Sequence, residues 1–189
     1  MHMICIIMHN LLIEHKVNLL YIRKGAFFLM TNKEKAPGSV TMIVRTMTIE
    51  DYNEVKSLWM KIKGFAIRSI DDSEQGVSLF LKRNPTTSVV AVEDDKIVGA
   101  ILCGHDGRRG CLYHVCVDPD YRRRGIGKEM VGFAMKALQD EGISKVSLIA
   151  FTKNDIGNAF WKTIGWTKRE DLNYYDFTLN TENIVNFIE

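Results

Sequence analysis

The segment Val115-Cys116-Val117-Asp118-Pro119-Asp120-Tyr121-Arg122-Arg123-Arg124-Gly125-Ile126-Gly127-Lys128 carries the clearest chemistry in the chain. A hydrophobic run ends at Asp118-Pro119, three arginines follow, and Gly125 and Gly127 open a long amphipathic stretch. That order builds an anion site. Glycine lets the backbone turn sharply and approach a ligand with no Cβ in the way. The first N–H groups of a helix have no partner within it, and the helix dipole adds positive potential at the same spot. Arg122, Arg123, Arg124 and Lys128 raise that potential further. Phosphate or pyrophosphate is the guest this suits. The plainer reading is an ordinary strand-to-helix turn with solvated arginines, and a lone GxG on its own favours it. No GKS or GKT follows, and Met130 stands where a GxGxxG motif needs its third glycine, so triphosphates and dinucleotides are poorly supported.

The flanking sequence supplies elements to hold this loop. Ile43 to Thr46 is a short β-prone run, and Thr48-Ile49-Glu50-Asp51 has the form of a capping box opening a helix to about Ile62. Val55, Leu58, Trp59 and Ile62 give that helix its apolar face. A second helix is predicted within 72–83, ended before Pro85. Residues 88–92 and 96–103 read as a hairpin turning at Glu93-Asp94-Asp95, and 111–117 as a further strand. The pattern then predicts a helix over 125–141 stopped by Gly142, a strand over 145–151, a helix over 155–164 and a closing pair of strands within 166–179. Strands interleaved with helices make a mixed α/β or α+β layer.

Composition narrows the classes. The chain has 189 residues, 46% apolar and 25% charged, with only three prolines, which excludes collagen, mucin-like stalks and wholesale disorder. Four cysteines (Cys5, Cys103, Cys111, Cys116) make no CxxC pair and are too few for a disulfide scaffold, so a reduced, cytoplasmic location is expected. Residues 1–41 hold five Lys/Arg against two acids, and the remainder 20 against 21, so the main domain lacks the basic excess of a nucleic-acid binder. The chain divides into an extension and linker over 1–41, with Pro37-Gly38 in its polar end, and a domain over 42–189. Residues 1–13 are too short an apolar run to span a bilayer. The extension is read as a frayed or misassigned start, an extra docked helix, or a membrane-surface anchor, the last being the least favoured. No His, Cys, Asp or Glu group has metal-ligand spacing, and no metal is expected.

Arg122-Arg123-Arg124-Gly125-Ile126-Gly127 resembles the (Q/R)xxGx(G/A) loop of the GNAT superfamily of acetyl-CoA-dependent N-acetyltransferases. A second block agrees: Asn154, Trp161, Gly165 and Trp166 resemble that family's N…Y…GF signature. The resemblance spans roughly 42–179. It implies a central mixed, mostly antiparallel sheet with a splayed fourth and fifth strand, flanked by about four helices. It also implies acetyl-CoA as co-substrate, its pyrophosphate on the backbone amides of Arg123 to Lys128. The pantetheine arm would lie against Val115, Cys116 and Val117, with Asn154, Asn158 and Trp161 lining its other side. The acceptor would be a primary amine of a small molecule or a protein N-terminus, attacked directly in a ternary complex, and homodimers pairing by the final strands are one option.

The chain departs from the family where the chemistry happens. The usual acid, a tyrosine, is matched by Trp161, whose indole N–H gives up no proton at relevant pH. A glutamate common on the fifth strand of some members is matched by Ile149. Asn173-Tyr174-Tyr175 is similar to an NYY shared by the branch that acetylates protein N-termini. Strand alternation sets Cys111, Tyr113 and Val115 opposite Leu112, His114 and Cys116. The resemblance implies that the 111/113 face looks toward the acetyl group, which makes Tyr113 a candidate acid or substrate contact and His114 a structural histidine facing away, unless a bulge reverses the parity. By the same alternation Cys111 and Cys116 point to opposite faces. Tyr174 is a further candidate near the acceptor, and Asp71, Asp72 and Glu74 either attract a cationic amine or answer a helix dipole. Two other readings stay open: a coenzyme A-binding module with weak or lost catalysis, and an interaction protein that docks through residues 1–30.

Overall fold

A computed structural model describes residues 42–188; the readings made of 1–41 lie outside them. β1 (Met42–Thr46) is followed by a 3-10 turn (Ile49–Asp51) and α1 (Tyr52–Trp59). Then come β2 (Ala66–Arg68), α2 (Glu74–Arg83), β3 (Val89–Glu93), β4 (Lys96–His105) and β5 (Gly110–Val117). A second 3-10 turn (Pro119–Tyr121) leads into α3 (Ile126–Asp140), β6 (Val146–Leu148), α4 (Asp155–Thr163) and β7 (Val185–Phe187). The main sheet runs β1-β3-β4-β5-β6, antiparallel except for the parallel pair β5·β6, and β2 pairs with β7 in a small second sheet. This is the mixed α/β architecture the sequence predicts.

The strands are apolar on both faces because helices cover both. Val90, Ala100, Leu102 and Cys116 pack under Val55, Leu58 and Trp59 of α1 and Val77 and Leu81 of α2. Val89, Ala91, Val98, Ile101 and Leu112 pack under Met130, Ala134 and Leu138 of α3. Alternation along a strand sends successive residues to these two cores. The β3–β4 hairpin turns through Asp94 (φ 48°) and Asp95 (φ 61°), the pair of left-handed residues that matches the twist of a two-residue hairpin. The acidic box at the first helix also forms: the Thr48 N–H donates to Asp51 Oδ2 at 2.8 Å, and the Arg45 guanidinium grips both Asp51 oxygens at 2.7 Å.

Two expectations are corrected. Residues 166–179 form no strands. Lys168 pairs with Glu170 and Arg169 with Asp171, so the charged run closes on itself in local turns, and Tyr174, Tyr175, Phe177 and Leu179 stand exposed. The closing strand is instead Val185–Phe187 on Ala66–Arg68, two three-residue strands too short to show a period in sequence. The strand expected over 145–151 stops at Leu148, because the chain there leaves β5 and turns, the Asn154 N–H reaching the Phe151 carbonyl. Among the described residues no helix is long and apolar enough to cross a membrane.

The junction after β5 depends on Asp118, almost wholly buried. Its N–H donates to the Val98 carbonyl at 2.8 Å, and Oδ1 accepts from the Asp120 N–H at 3.2 Å, forming the turn. Lys61 and Lys96 reach Oδ2 at 3.3 and 3.7 Å. Burial pushes this carboxyl up, but the Asp120 N–H and the two lysines overcome it and hold the carboxyl below the usual range.

Two predictions follow from this packing. Asp118 binds fewer protons in the folded chain than in the unfolded one, where a carboxyl titrates near about 3.9. Its stabilisation is therefore full at neutral pH and lost as pH falls through its lowered folded value. Asp118→Asn should lower the melting temperature at pH 7 and flatten its decline below about pH 4; an unchanged acid slope would count against the assignment. Separately, a Cβ on Gly99 would lie 2.7 Å from Met130 Cε, the flexible tip of a core side chain. Met130→Ala should cost about 2–5 kcal/mol and Gly99→Ala about 1–3 kcal/mol in urea titrations. The double variant should cost clearly less than the sum, because each change relieves the other.

Candidate active site

The loop between β5 and α3 is built to leave its amides free. Arg123 (φ 65°) and Gly125 (φ 84°) both adopt the left-handed conformation, which turns successive N–H groups toward one side. The N–H groups of residues 123–128 reach no protein acceptor among the described residues, and the first pairing after them is Glu129 N–H to the Gly125 carbonyl at 3.1 Å. Ile126 buries itself in the core and anchors the helix start. Gly127 sits against α4: a Cβ there would lie 3.3 Å from the Phe160 ring.

The four cations are not equivalent. Arg124 pairs with the buried Glu93 at 2.7 Å and stacks on Tyr121, so it fastens the loop to the end of β3. Arg122 is exposed, and its Nε donates to the Val117 carbonyl at 3.2 Å. Arg123 and Lys128 are exposed and have no carboxylate partner among the described residues. The loop therefore carries six free amides and two uncommitted positive charges, Arg123 and Lys128, with Arg122 tied back to the Val117 carbonyl.

β5 opens beside this loop. Its parallel pairing with β6 covers only Gly110↔Val146, Cys111↔Ser147 and Leu112↔Leu148. From Tyr113 to Val117 that edge has no strand partner among the described residues. On the other edge Leu102 pairs with Tyr113 but Ala100 pairs with Cys116, so two residues of β5 oppose one of β4. The extra residue falls at His114, whose φ is 47°. This bulge reverses the strand's alternation beyond it.

The parity expectation is corrected accordingly. Leu112 lies in the α3 core and Cys116 in the α1 core, although plain alternation would put them on one face. Tyr113 meets the Phe80 ring edge-on at 5.9 Å, and His114 packs on Trp59 and Phe65 at 4.8 and 5.5 Å. Tyr113 and His114 thus both look toward the α1–α2 side, and the bulge places Cys111 and Cys116 on that side too. Val115 and Val117 pack toward α3. His114 is held through one ring nitrogen by a partner the sequence offered for another purpose: its Nε2 meets Asp72 Oδ1 at 2.7 Å. Asp72 is buried and also accepts the Arg68 N–H at 2.6 Å, so it is not an open lure for cations. These residues lie 42 positions apart, and nothing local announces the pair.

The second sequence block resolves into helix caps. Asn154 is the N-cap of α4, its Oδ1 accepting the Gly157 N–H at 3.0 Å. Asn158 donates to the Phe151 and Thr152 carbonyls at 3.0 and 3.3 Å, holding the turn after β6. Gly165 (φ 89°) ends the helix, and the Trp166 N–H returns to the Trp161 carbonyl at 2.9 Å. Trp161 stacks between Phe160 and Trp166, each 5.0 Å away, against the α3 core. It therefore stands on the opposite face of the sheet from Tyr113. Tyr174 stands exposed. Burial first, then Cys111, pushes the Tyr113 phenol well above its ordinary value. Ile149 is exposed just past β6. Burial pushes the Cys103 and Cys116 thiols up to about 12, so both are inert at neutral pH. Among the described residues no cluster of three or more His, Cys, Asp or Glu side chains could hold a metal ion.

Known proteins are similar to this chain in sequence and in fold. The chain is 33% identical over 131 residues to acetyltransferase SG1711 of Sodalis glossinidius, covering 69% of this chain and 91% of that protein. It is 32% identical over 114 residues to acetyltransferase ECA0875 of Pectobacterium atrosepticum, covering 60% and 79%. Among solved structures, the PaiA N-acetyltransferase of Thermoplasma acidophilum in complex with coenzyme A superposes with a TM-score of 0.60 at 16% identity, over 77% of this chain and 96% of that one. The ribosomal-protein-alanine N-acetyltransferase of Brucella melitensis superposes with a TM-score of 0.53 at 18% identity, over 75% and 100%. Residues 51–166 match the family model described as acetyltransferase (GNAT) family. With the splayed strand pair and the free-amide loop in place, the chain belongs to the GNAT family of acetyltransferases.

Proposed function

We propose that this protein transfers the acetyl group of acetyl-CoA to a primary amine by direct attack in a ternary complex. The observation that carries the reading is the row of free N–H groups over residues 123–128, aimed by two left-handed residues at the start of α3. A pyrophosphate satisfies those amides, with Arg122, Arg123 and Lys128 offsetting its charge. The open edge at Val115, Cys116 and Val117 offers backbone groups to an amide-bearing arm, as exposed strand edges do. Asn154, Asn158 and Trp161 line the far wall, their side chains already ordered by the caps of α4. The complex of PaiA with coenzyme A supports this use of the fold.

An alkylamine is protonated at neutral pH, since its ordinary pKa is about 10.4, so it must lose a proton before it attacks. The departing thiolate needs a donor. Trp161 cannot serve, whereas the Tyr113 hydroxyl, on the stretch of β5 that has no strand partner among the described residues, can donate. Tyr113 is thus the donor we assign, its proton returned from solvent. The acceptor is a small-molecule amine or a protein N-terminus; solved neighbours include aminoglycoside and ribosomal-protein-alanine acetyltransferases. The free thiols among the described residues support a cytoplasmic location. A coenzyme A-binding module with weak catalysis is the second reading, favoured by Trp161 and by the exposed Ile149.

Two substitutions test this. A Cβ at Gly125 meets no atom within 4 Å, so Gly125→Asp costs only the left-handed strain of about 1–2 kcal/mol. It should leave the fold intact and reduce acetyl-CoA affinity at least about 100-fold by calorimetry, through the charge it sets among the amides; unchanged affinity would sink the loop assignment. Trp161→Tyr should raise the rate of thiol release several-fold if the thiolate lacks a good donor. No change would hand that task to Tyr113 alone. Thiol release with a panel of polyamines, aminoglycosides, amino acids and peptides identifies the acceptor, and binding without release on any of them favours the module.

A further inference from the structure

His114 occupies an expensive position. A left-handed backbone costs a residue with a Cβ about 1–2 kcal/mol, and such strain persists only where the surroundings impose it. The residue lies two positions past Leu112, where β5 and β6 last pair, and its ring packs on Trp59 and Phe65 on the α1–α2 side. Asp72 presents Oδ1 to Nε2 at 2.7 Å, and its other oxygen is fixed by the Arg68 N–H at 2.6 Å. The Tyr52 hydroxyl holds the Asp72 carbonyl at 3.0 Å. A carboxylate can only accept, so Nε2 carries the proton and Nδ1 is left with its lone pair. Nδ1 meets no donor among the described residues. The groups packed on the ring are Trp59 and Phe65, with Tyr113 alongside on β5, and Asp72 is the charged group that faces it. The buried Trp59 indole N–H lacks an acceptor in the same place, so one more polar partner is missing there.

We infer that His114, oriented by Asp72, is the base that takes the proton from the acceptor ammonium. The inference rests on the acetyl-transfer reading above. Nδ1 removes one N–H proton from R–NH3+, giving the free amine and an imidazolium whose charge Asp72 stabilises through Nε2–H. The amine lone pair forms the N–C bond, the C–S bond breaks, and its electron pair leaves on sulfur. The second nitrogen proton goes to that thiolate through Tyr113 or water, and the imidazolium returns its proton to solvent. Every proton is accounted for without a further reagent.

The test uses the full chain, His114→Gln and Asp72→Asn. In the free protein, 15N spectra of labelled histidine should show Nδ1 unprotonated and Nε2 protonated for His114 at neutral pH. Asp72→Asn should invert this, because the Asn oxygen can keep the Arg68 N–H while its amide donates to Nε2. With an amine that the wild-type chain acetylates, both variants should lose about 100-fold in kcat while acetyl-CoA affinity stays the same. The acidic limb of the pH–rate profile should move from the imidazole to the amine's own titration. A bare Nε2 in the wild type overturns the inference, as does an unchanged rate or a slower rate with the wild-type pH limb. Loss of acetyl-CoA binding by the wild-type chain would instead defeat the acetyl-transfer reading, and the tautomer would still decide whether His114 is a base in waiting.

Discussion

Everything in the candidate site depends on β5 parting from β6. A parallel pair that continued past Leu112 and Leu148 would satisfy its own backbone groups and leave no room for an acyl arm. The parting is enforced from both sides. On β6 the chain turns after Leu148, with Asn158 holding the Phe151 and Thr152 carbonyls. On β5 the bulge at His114 bends the strand toward α1, and the Asp72 carboxylate together with the Trp59 and Phe65 rings keeps it bent. An edge with unmet hydrogen-bonding groups is a liability in most sheets. Here it sits directly above the free amides of the α3 N-terminus, so two unsatisfied features converge on one elongated ligand.

Charge is distributed with the same economy. The three arginines look like one basic patch in sequence, but Arg124 is taken by Glu93 and Tyr121, and Arg122 reaches back to the Val117 carbonyl. Asp118 draws in Lys61 and Lys96, so the acid nearest the anion site is already neutralised by cations from α1's end and β4. A lone carboxylate at the mouth of the loop would oppose a pyrophosphate; a buried one flanked by two half-exposed lysines contributes a turn and little field. The net positive potential therefore comes from Arg123, Lys128, Arg122 and the helix end rather than from a simple sum of charges.

Much of this was legible in the residues. The glycines at 125 and 127, the Asp-Pro turn and the helical period after Ile126 announce the strand–loop–helix junction through local chemistry alone. The second block was legible for a different reason: Asn154 and Gly165 are the two caps of α4, and Trp161 and Trp166 meet across its end, so cap and packing rules write themselves into nearby positions. What stayed hidden is whatever needs two distant segments. Asp72 reads as the start of a helix, His114 as a strand residue, and only the fold brings them to 2.7 Å. The strands 66–68 and 185–187 are each three residues and define one another. The aromatic run at 174–179 has the composition of a strand but no edge to join.

The bulge shows how far a single residue can move a functional reading. Alternation assigns Tyr113 and His114 to opposite faces, and on that basis the tyrosine faces the chemistry while the histidine is structural. One left-handed residue puts both on the α1–α2 side, with Trp161 across the sheet against α3. The proton tasks then divide by geometry. On the proposed reading the Tyr113 O–H is the donor, and an imidazole with one nitrogen pinned to a carboxylate keeps the other as an acceptor. Under the proposed mechanism, donor and acceptor on adjacent residues of one strand would serve the two ends of an acyl transfer, and that adjacency is how a chain with Trp161 and Ile149 at its matched positions would move both protons.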